Sequence, residues 1–400
     1  MKIPLSYNLL DSKDINAAIK VLRSGNLTMG KKNTKFEKNF AKSVGCKYSL
    51  MVNSGSSANL LALFTLVNPF FTKKNSFKKI FNNKSEVIVP ALSWPTSIWP
   101  IVQSGLVPVL VDSDPFTLQM KQDCFEKALN KNTVGVVSVS VLGNSIDLGW
   151  LKSMCKKNNL WLVEDTCEGL GAKYKNRFLG TFGDIGTYSF YFSHHITTIE
   201  GGMFVTNNRK IYEVAKSLRS HGWIRDLKNK NFYIKKYKDL DPRFLFVNSG
   251  FNLRSTEVNA ALGLEQLKKL KKFNLKRNKI FNYWKKELNK LNIINVFDII
   301  KINKHVTPAI FGFPVICKNK IIRDKLKNFL EKNGIETRPI ICGNINRHPA
   351  IKLFKHKVID NLQGANNVTD RGLFWSINPL MSKEQCNYII KIIRKFCYHK

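Results

Sequence analysis

Between residues 48 and 206 seven short apolar runs alternate with helical stretches, and no other feature constrains the fold of this chain as strongly. YSLMVNS, EVIVPA, LVPVLVD, TVGVVSVSV, LWLVED, IGTYSF and GMFVTN have the length and β-branched content of strands. SSANLLALFTLV, TSIWPIVQS and IDLGWLKSMCKKN lie between them as helix candidates, and NRKIYEVAKSLRS follows the last run. Continuous apolar runs, in place of strict alternation, belong to strands covered on both faces. The pattern therefore predicts an α/β fold, a mostly parallel seven-stranded sheet flanked by helices.

Four hundred residues exceed what one core usually supports, so a second, smaller unit is expected. The division places a large α/β domain with N-terminal helices over 1–253, and a long linking helix with a small α+β domain over 254–400. The linking helix is predicted from about 254 to 291, with INVFD, TPAIFGFPVI, KIIRDKLKNFLEKN and KEQCNYIIKIIRKF supplying the small domain. Residues 70–85 read as a polar surface excursion, and 222–250 as a long loop of the kind that is usually functional or disordered.

Composition narrows the function classes. The formal charge of +37 by itself suggests nucleic acid or an anionic surface, but the lysines are spread along the whole length as a compositional bias decorating solvated faces. No zinc-finger, basic-zipper or RNA-binding signature accompanies them, and an anionic small substrate also profits from such a field. No apolar run approaches a membrane span, and the first residues lack the apolar core of a secretion signal. Eight scattered cysteines without a CxxC pair argue against a disulfide framework and against a metal or iron–sulfur site, and fit a reducing cytoplasm.

Three stretches can carry chemistry. In NSGSSANLLAL, Gly55 permits a tight turn and Ser56 opens a helix whose free N–H groups favour an anion, although such junctions also serve as plain caps. In VEDTCEGLGAKY, Asp165 ends an apolar strand where open α/β sheets place their ligands. A carboxylate there can keep a ring nitrogen protonated, with Glu168 three residues on; both can equally be strand-end solvation. In PALSWPTSIWP, Trp94 follows a strand end and is placed either to stack on a flat ring or to fill a core.

Phosphate cradle, stacking tryptophan, ring-nitrogen carboxylate and a later Ser in SFYFSHHITTIEGG follow one another in the order that resembles the DegT/DnrJ/EryC1/StrS sugar aminotransferases, fold-type I pyridoxal-phosphate enzymes. The resemblance runs nearly end to end, from LTMG through GDIGTYSF, EGGMFVTN and GFNLRSTEVNAALGLEQL to GIETRP. It implies that Gly55, Ser56 and Ser189 hold the cofactor phosphate, that Trp94 stacks on the ring, that Asp165 binds the pyridine nitrogen, and that Glu168 stands near the ring hydroxyl. It also implies a homodimer with shared sites, in which Asn252 reaches the neighbour's phosphate.

In that family a lysine follows the serine by five residues, and here the position is His194. Lysine both tethers the cofactor and moves protons, whereas imidazole can only move protons. The exchange marks the sugar 3-dehydratase branch. It implies cofactor bound without a tether, as pyridoxal or pyridoxamine phosphate, and removal of a hydroxyl from a nucleotide-linked 4-keto-6-deoxy sugar, a GDP-linked mannose derivative foremost, with L-glutamate replenishing the amine. A CDP-sugar branch with a cysteine-ligated cluster is disfavoured by the scattered cysteines. Arg338 in ETRP is a candidate carboxylate or phosphate partner and His221 a candidate substrate contact; surface roles remain open for both. Neighbours on an extended turn point apart, so His195 is not expected to face the ring. The rival readings are an aminotransferase of the same family, although no lysine lies between 176 and 208, and a non-catalytic relative.

Overall fold

A computed structural model of the protein describes residues 1–72, 84–291 and 293–398. Each of the seven predicted runs is a strand: β1 (Tyr48–Val52), β2 (Glu86–Pro90), β3 (Val107–Val111), β4 (Thr133–Val139), β5 (Trp161–Asp165), β8 (Ile185–Ser189) and β9 (Gly202–Thr206). Two short strands, β6 (Lys173–Tyr174) and β7 (Arg177–Phe178), interrupt the series. Beyond them come β10 (Phe297–Ile299), β11 (Val306–Thr307), β12 (Gly312–Cys317), β13 (Thr337–Arg338), β14 (Lys357–Val358) and β15 (Gly372–Ser376).

The large sheet has the order β1-β9-β8-β5-β4-β2-β3-β14. Every pairing from β8 to β14 is parallel, while β9 lies antiparallel between β8 and β1. Both faces are covered, as the unbroken apolar runs require. Val87 and Val89 join one core and Ile88 the other, where it meets Phe125 and Leu151 of the helices Gln122–Ala128 and Leu148–Lys157. The eighth strand, β14, was not among the predicted strands; it pairs Lys357 with Val109 on β3, and Lys357 Nζ is 2.5 Å from Glu86 Oε1.

The C-terminal region forms an antiparallel sheet, β10-β12-β15-β13. Its core is aromatic: Phe313 stacks on Trp375 at 4.9 Å, and Trp284 of the long helix meets Phe313 edge-on at 5.5 Å. Each such fully buried ring contributes about 2–3 kcal/mol. That core is continuous with one face of the large sheet.

The long helix spans Glu257–Leu288, capped by Thr256, whose Oγ1 accepts from Asn259 N. Residues 222–250 are not a structureless loop as expected, since they contain the helix Lys230–Lys236 and a turn at Pro242–Phe244. The excursion read at 70–85 lies for the most part outside the described residues. Among the described residues no helix is long and apolar enough to cross a membrane.

Candidate active site

Because β9 is antiparallel to both β8 and β1, β1 runs in the same direction as β8, β5, β4 and β2. The carboxyl ends of these five strands therefore share one edge of the sheet, the edge at which such folds hold ligands. Gly55, Trp94, Asp165 and Ser189 all lie at or just beyond those ends.

At β1 the chain turns through Ser54 into the helix Gly55–Leu66, and the Ser54 hydroxyl accepts from Ser57 N at 3.0 Å. The amides of Gly55 and Ser56 precede the helical ladder and are left for an acceptor outside it. Gly55 is required by contact: a Cβ there would stand 2.6 Å from Ser189 Cβ and 3.0 Å from Cys167 Sγ. Ser56 is exposed, with its hydroxyl 3.3 Å from Thr96 Oγ1. The close packing of Gly55 on Ser189 joins two candidate phosphate holders that are far apart in sequence.

Asp165 is buried at the end of β5 and its carboxylate is fully held. Asn59 Nδ2 and Ser97 Oγ each donate to Oδ2 at 2.7 Å, and Cys167 N donates to Oδ1 at 3.2 Å. Asn59 is itself fixed by Thr187, whose hydroxyl donates to Asn59 Oδ1 at 2.6 Å. Burying a carboxylate without such donors is costly, and this cluster supplies them at the strand end. The indole of Trp94, by contrast, is 56% exposed. An aromatic surface of that size left to solvent beside a turn is available for stacking.

His194 and His195 sit in the turn between β8 and β9 and face different surroundings. His195 is completely buried, and its Nε2 is 2.9 Å from Ala309 O. His194 is half-buried between Tyr191 and Phe311, ring centroids 6.0 and 5.2 Å away, and its Nδ1 is buried without a hydrogen-bond partner. Burial, helped by the Arg277 charge, brings the His194 imidazole down to about 4. The ring is thus a free base at neutral pH. The same causes, burial first, hold His195 well below the usual histidine range.

Glu168 is half-buried and accepts from Leu142 N at 2.9 Å. Burial first, then the charge of Asp165, push its carboxyl up to about 7, against the pull of the Leu142 amide. A carboxyl raised from its usual 4.5 binds its proton more tightly in the folded than in the unfolded chain, so stability is full below 4.5 and is lost as pH rises toward 7. Glu168→Gln, which has no charge to acquire, should therefore gain on the parent by about 2 kcal/mol between mildly acidic and mildly basic pH. Thermal unfolding of both proteins across that range measures it; a difference that does not change with pH would contradict the raised carboxyl.

The other three candidates are exposed. Asn252 Oδ1 accepts from Arg254 Nε at 3.0 Å, and Arg254 Nη2 lies 3.4 Å from His221 Nε2. Bridging of Arg254 to Val52 sets this group beside the end of β1. His221 has a left-handed backbone, φ 61°, which places it in a sharp turn. Arg338 lies on β13, donates to Thr337 O at 2.9 Å, and among the described residues hydrogen-bonds to none of the other candidates. The loop after it does reach the site edge: Asn344 bridges to Leu92, and Cys342 Sγ is 2.8 Å from Ser93 O, next to Trp94.

Sequence reasoning missed Asn59 and Ser97, which hold Asp165, and Phe311 and Arg277, which surround His194. A buried Asn inside an apolar helix was a signal available for the first of these. A cleft of about 700 Å³, lined by Phe70, Arg209, Glu213, Leu227, Tyr233 and Asn248 among others, contains none of the candidates, so volume does not identify the site.

A model of the DegT/DnrJ/EryC1/StrS aminotransferase family matches residues 8–394. The chain is 36% identical to GDP-4-keto-6-deoxy-D-mannose 3-dehydratase of Yersinia pseudotuberculosis, over 99% of this chain and 99% of that one. The crystal structure of GDP-4-keto-6-deoxymannose-3-dehydratase with a trapped PLP-glutamate geminal diamine is similar at a TM-score of 0.89 and 34% identity, covering 98% of this chain and 100% of that one. A histidine-to-asparagine mutant of GDP-4-keto-6-deoxymannose-3-dehydratase with bound GDP-perosamine gives 0.88 at 34% identity, again covering 98% and 100%. With nearly its whole length matched by the family model and by end-to-end relatives, the chain belongs to the DegT/DnrJ/EryC1/StrS aminotransferase family.

Proposed function

We propose that this protein is a pyridoxal/pyridoxamine phosphate-dependent 3-dehydratase of a nucleotide-linked 4-keto-6-deoxy sugar, with GDP-4-keto-6-deoxy-D-mannose as substrate and His194 as the base. The observation that carries the reading is a neutral imidazole with an unpartnered, buried Nδ1 at the place of the family lysine, five residues after Ser189. Two relatives, each 36% identical over at least 98% of this chain, bear the name of this activity.

The residues present suit the cofactor. A glycine that admits no side chain beside Ser189 leaves a backbone cradle for a phosphate, a buried carboxylate with three donors suits a protonated ring nitrogen, and an exposed indole suits a ring face. Gly55, Ser56 and Ser189 would hold the phosphate, Asp165 the ring nitrogen, Trp94 the ring face and Glu168 the ring hydroxyl. When bound, pyridoxamine phosphate supplies an amine for the sugar ketone and a ring that accepts electrons. His194 takes up and returns the proton, and being unable to form a tether it leaves the cofactor free to exchange. The 3-hydroxyl leaves as water.

Asn252, exposed on one chain, fits a homodimer in which each site draws on both subunits; His221, also exposed, fits a contact to substrate, and Arg338 fits the carboxylate of L-glutamate through its planar fork. Residues 1–253 would carry the cofactor, and 254–400 the linking helix and smaller domain. The net reaction converts keto sugar and glutamate to the 3-deoxy sugar, 2-oxoglutarate and ammonia. Incubation with the GDP sugar, cofactor and glutamate should yield ammonia and 2-oxoglutarate in equal amounts. An amino sugar without ammonia would assign an aminotransferase, and absence of turnover with all nucleotide forms of the sugar a non-catalytic protein.

A further inference from the structure

The long helix Glu257–Leu288 carries Asn274, Arg277 and Asn278 at i, i+3 and i+4, and so on one side. All three bind the backbone of segments that line the site. Asn274 Nδ2 donates to Leu170 O at 2.9 Å, two residues beyond Glu168. Asn278 grips the segment before Phe311 twice, donating to Pro308 O at 2.7 Å and accepting from Ile310 N at 3.2 Å. Arg277 joins that segment to two others: Nη1 donates to Phe311 O at 3.2 Å and to Ile377 O, and Nη2 to His194 O at 3.5 Å.

Arg277 is only 2% exposed, its Nε has no partner, and it forms no ion pair with a carboxylate among the described residues. An uncompensated buried cation costs several kcal/mol, and an apolar residue would pack the helix at lower cost. What the guanidinium offers in return is a planar fork that joins three carbonyls at once and a fixed positive charge. The other polar groups facing His194 are His195 on its own turn and the Tyr191 ring; from the opposite segment the apolar Phe311 ring packs against both imidazoles.

We propose that Arg277 is a positioning residue for His194: it clamps the carbonyl of the 194 turn to Phe311 and Ile377, and its charge opposes a second positive charge on the imidazole, so that His194 stands ready as a free base. This rests on His194 being the base, and it extends that reading to a group that touches neither substrate nor cofactor. It accounts for the retention of a cation where no anion compensates it.

The test is a histidine NMR titration of the full-length protein, with His194→Asn identifying the resonance, in the parent, Arg277→Gln and Arg277→Lys. Removal of the charge in Arg277→Gln should raise the His194 midpoint above that of the parent, burial alone then holding it down, and the acid limb of the kcat profile should move with it. Arg277→Lys keeps the charge without the fork, so the midpoint should stay low while kcat falls about 10-fold and KM holds. A folded Arg277→Gln in which His194 titrates as in the parent would overturn the electrostatic role; should that variant not fold, parent-like kcat in Arg277→Lys overturns the clamp. The titration stands apart from the proposed function: if His194→Asn turns over at the parent rate while the midpoint still shifts, the base assignment fails and the influence of Arg277 on the imidazole does not.

Discussion

Replacing His194 by asparagine is expected to lower kcat for loss of the sugar hydroxyl by about 10²–10⁴-fold, the usual contribution of a positioned general base, with cofactor affinity nearly unchanged. The expectation follows from the division of labour at the strand ends. Asp165 and the Gly55–Ser189 cradle hold by charge and backbone, whereas His194 is joined to neither by a hydrogen bond and offers one unpartnered ring nitrogen. His194→Lys should go further and change the chemistry. A primary amine at that place can join the cofactor aldehyde, so borohydride should fix the cofactor to the chain, visible as a gain in protein mass, while dehydration is lost. The parent should give no such adduct. Should the asparagine variant eliminate hydroxyl as fast as the parent, another group is the base.

Asp165→Ala should weaken cofactor binding by about 10²–10³-fold. Removing one member of a buried, hydrogen-bonded charge pair typically costs 2–5 kcal/mol, much of it for the group left alone. Here the loss has a second component within the protein, because Asn59 Nδ2 and Ser97 Oγ both aim at Oδ2 and would be stranded. Unsatisfied buried donors cost about 1–3 kcal/mol, so the cofactor-free variant should also unfold at lower temperature. Asp165→Asn keeps the volume but turns an amide toward the amide of Asn59, and should retain little of the affinity. Absorbance titration with pyridoxal phosphate decides the matter, and binding within threefold of the parent would remove Asp165 from the ring nitrogen.

What could be read from the sequence followed from local rules. Runs such as EVIVPA and TVGVVSVSV are unbroken because both faces of β2 and β4 are covered, and the positions of Asp165 and Ser189 follow from where those runs stop. The remaining features depend on distant partners. Lys357 and Val358 carry no apolar pattern, since an exposed two-residue edge strand needs only backbone pairing with β3. The helix Lys230–Lys236 has no buried residue, so it leaves no periodic trace in a lysine-rich segment. Arg277 looked like one more surface cation in KKLKKFNLKRNK; its burial comes from meeting Phe311 and Ile377, about 30 and 100 residues away.

The pairing of β14 with β3 bears on how the chain comes to be folded. Until residues 357 and 358 emerge, VPVLV is the outermost strand of the large sheet, an apolar edge with open backbone groups, and its partner follows some 250 residues later. During synthesis that edge is a place where nascent chains would adhere to one another, and it stays open until residues 357 and 358 have been made.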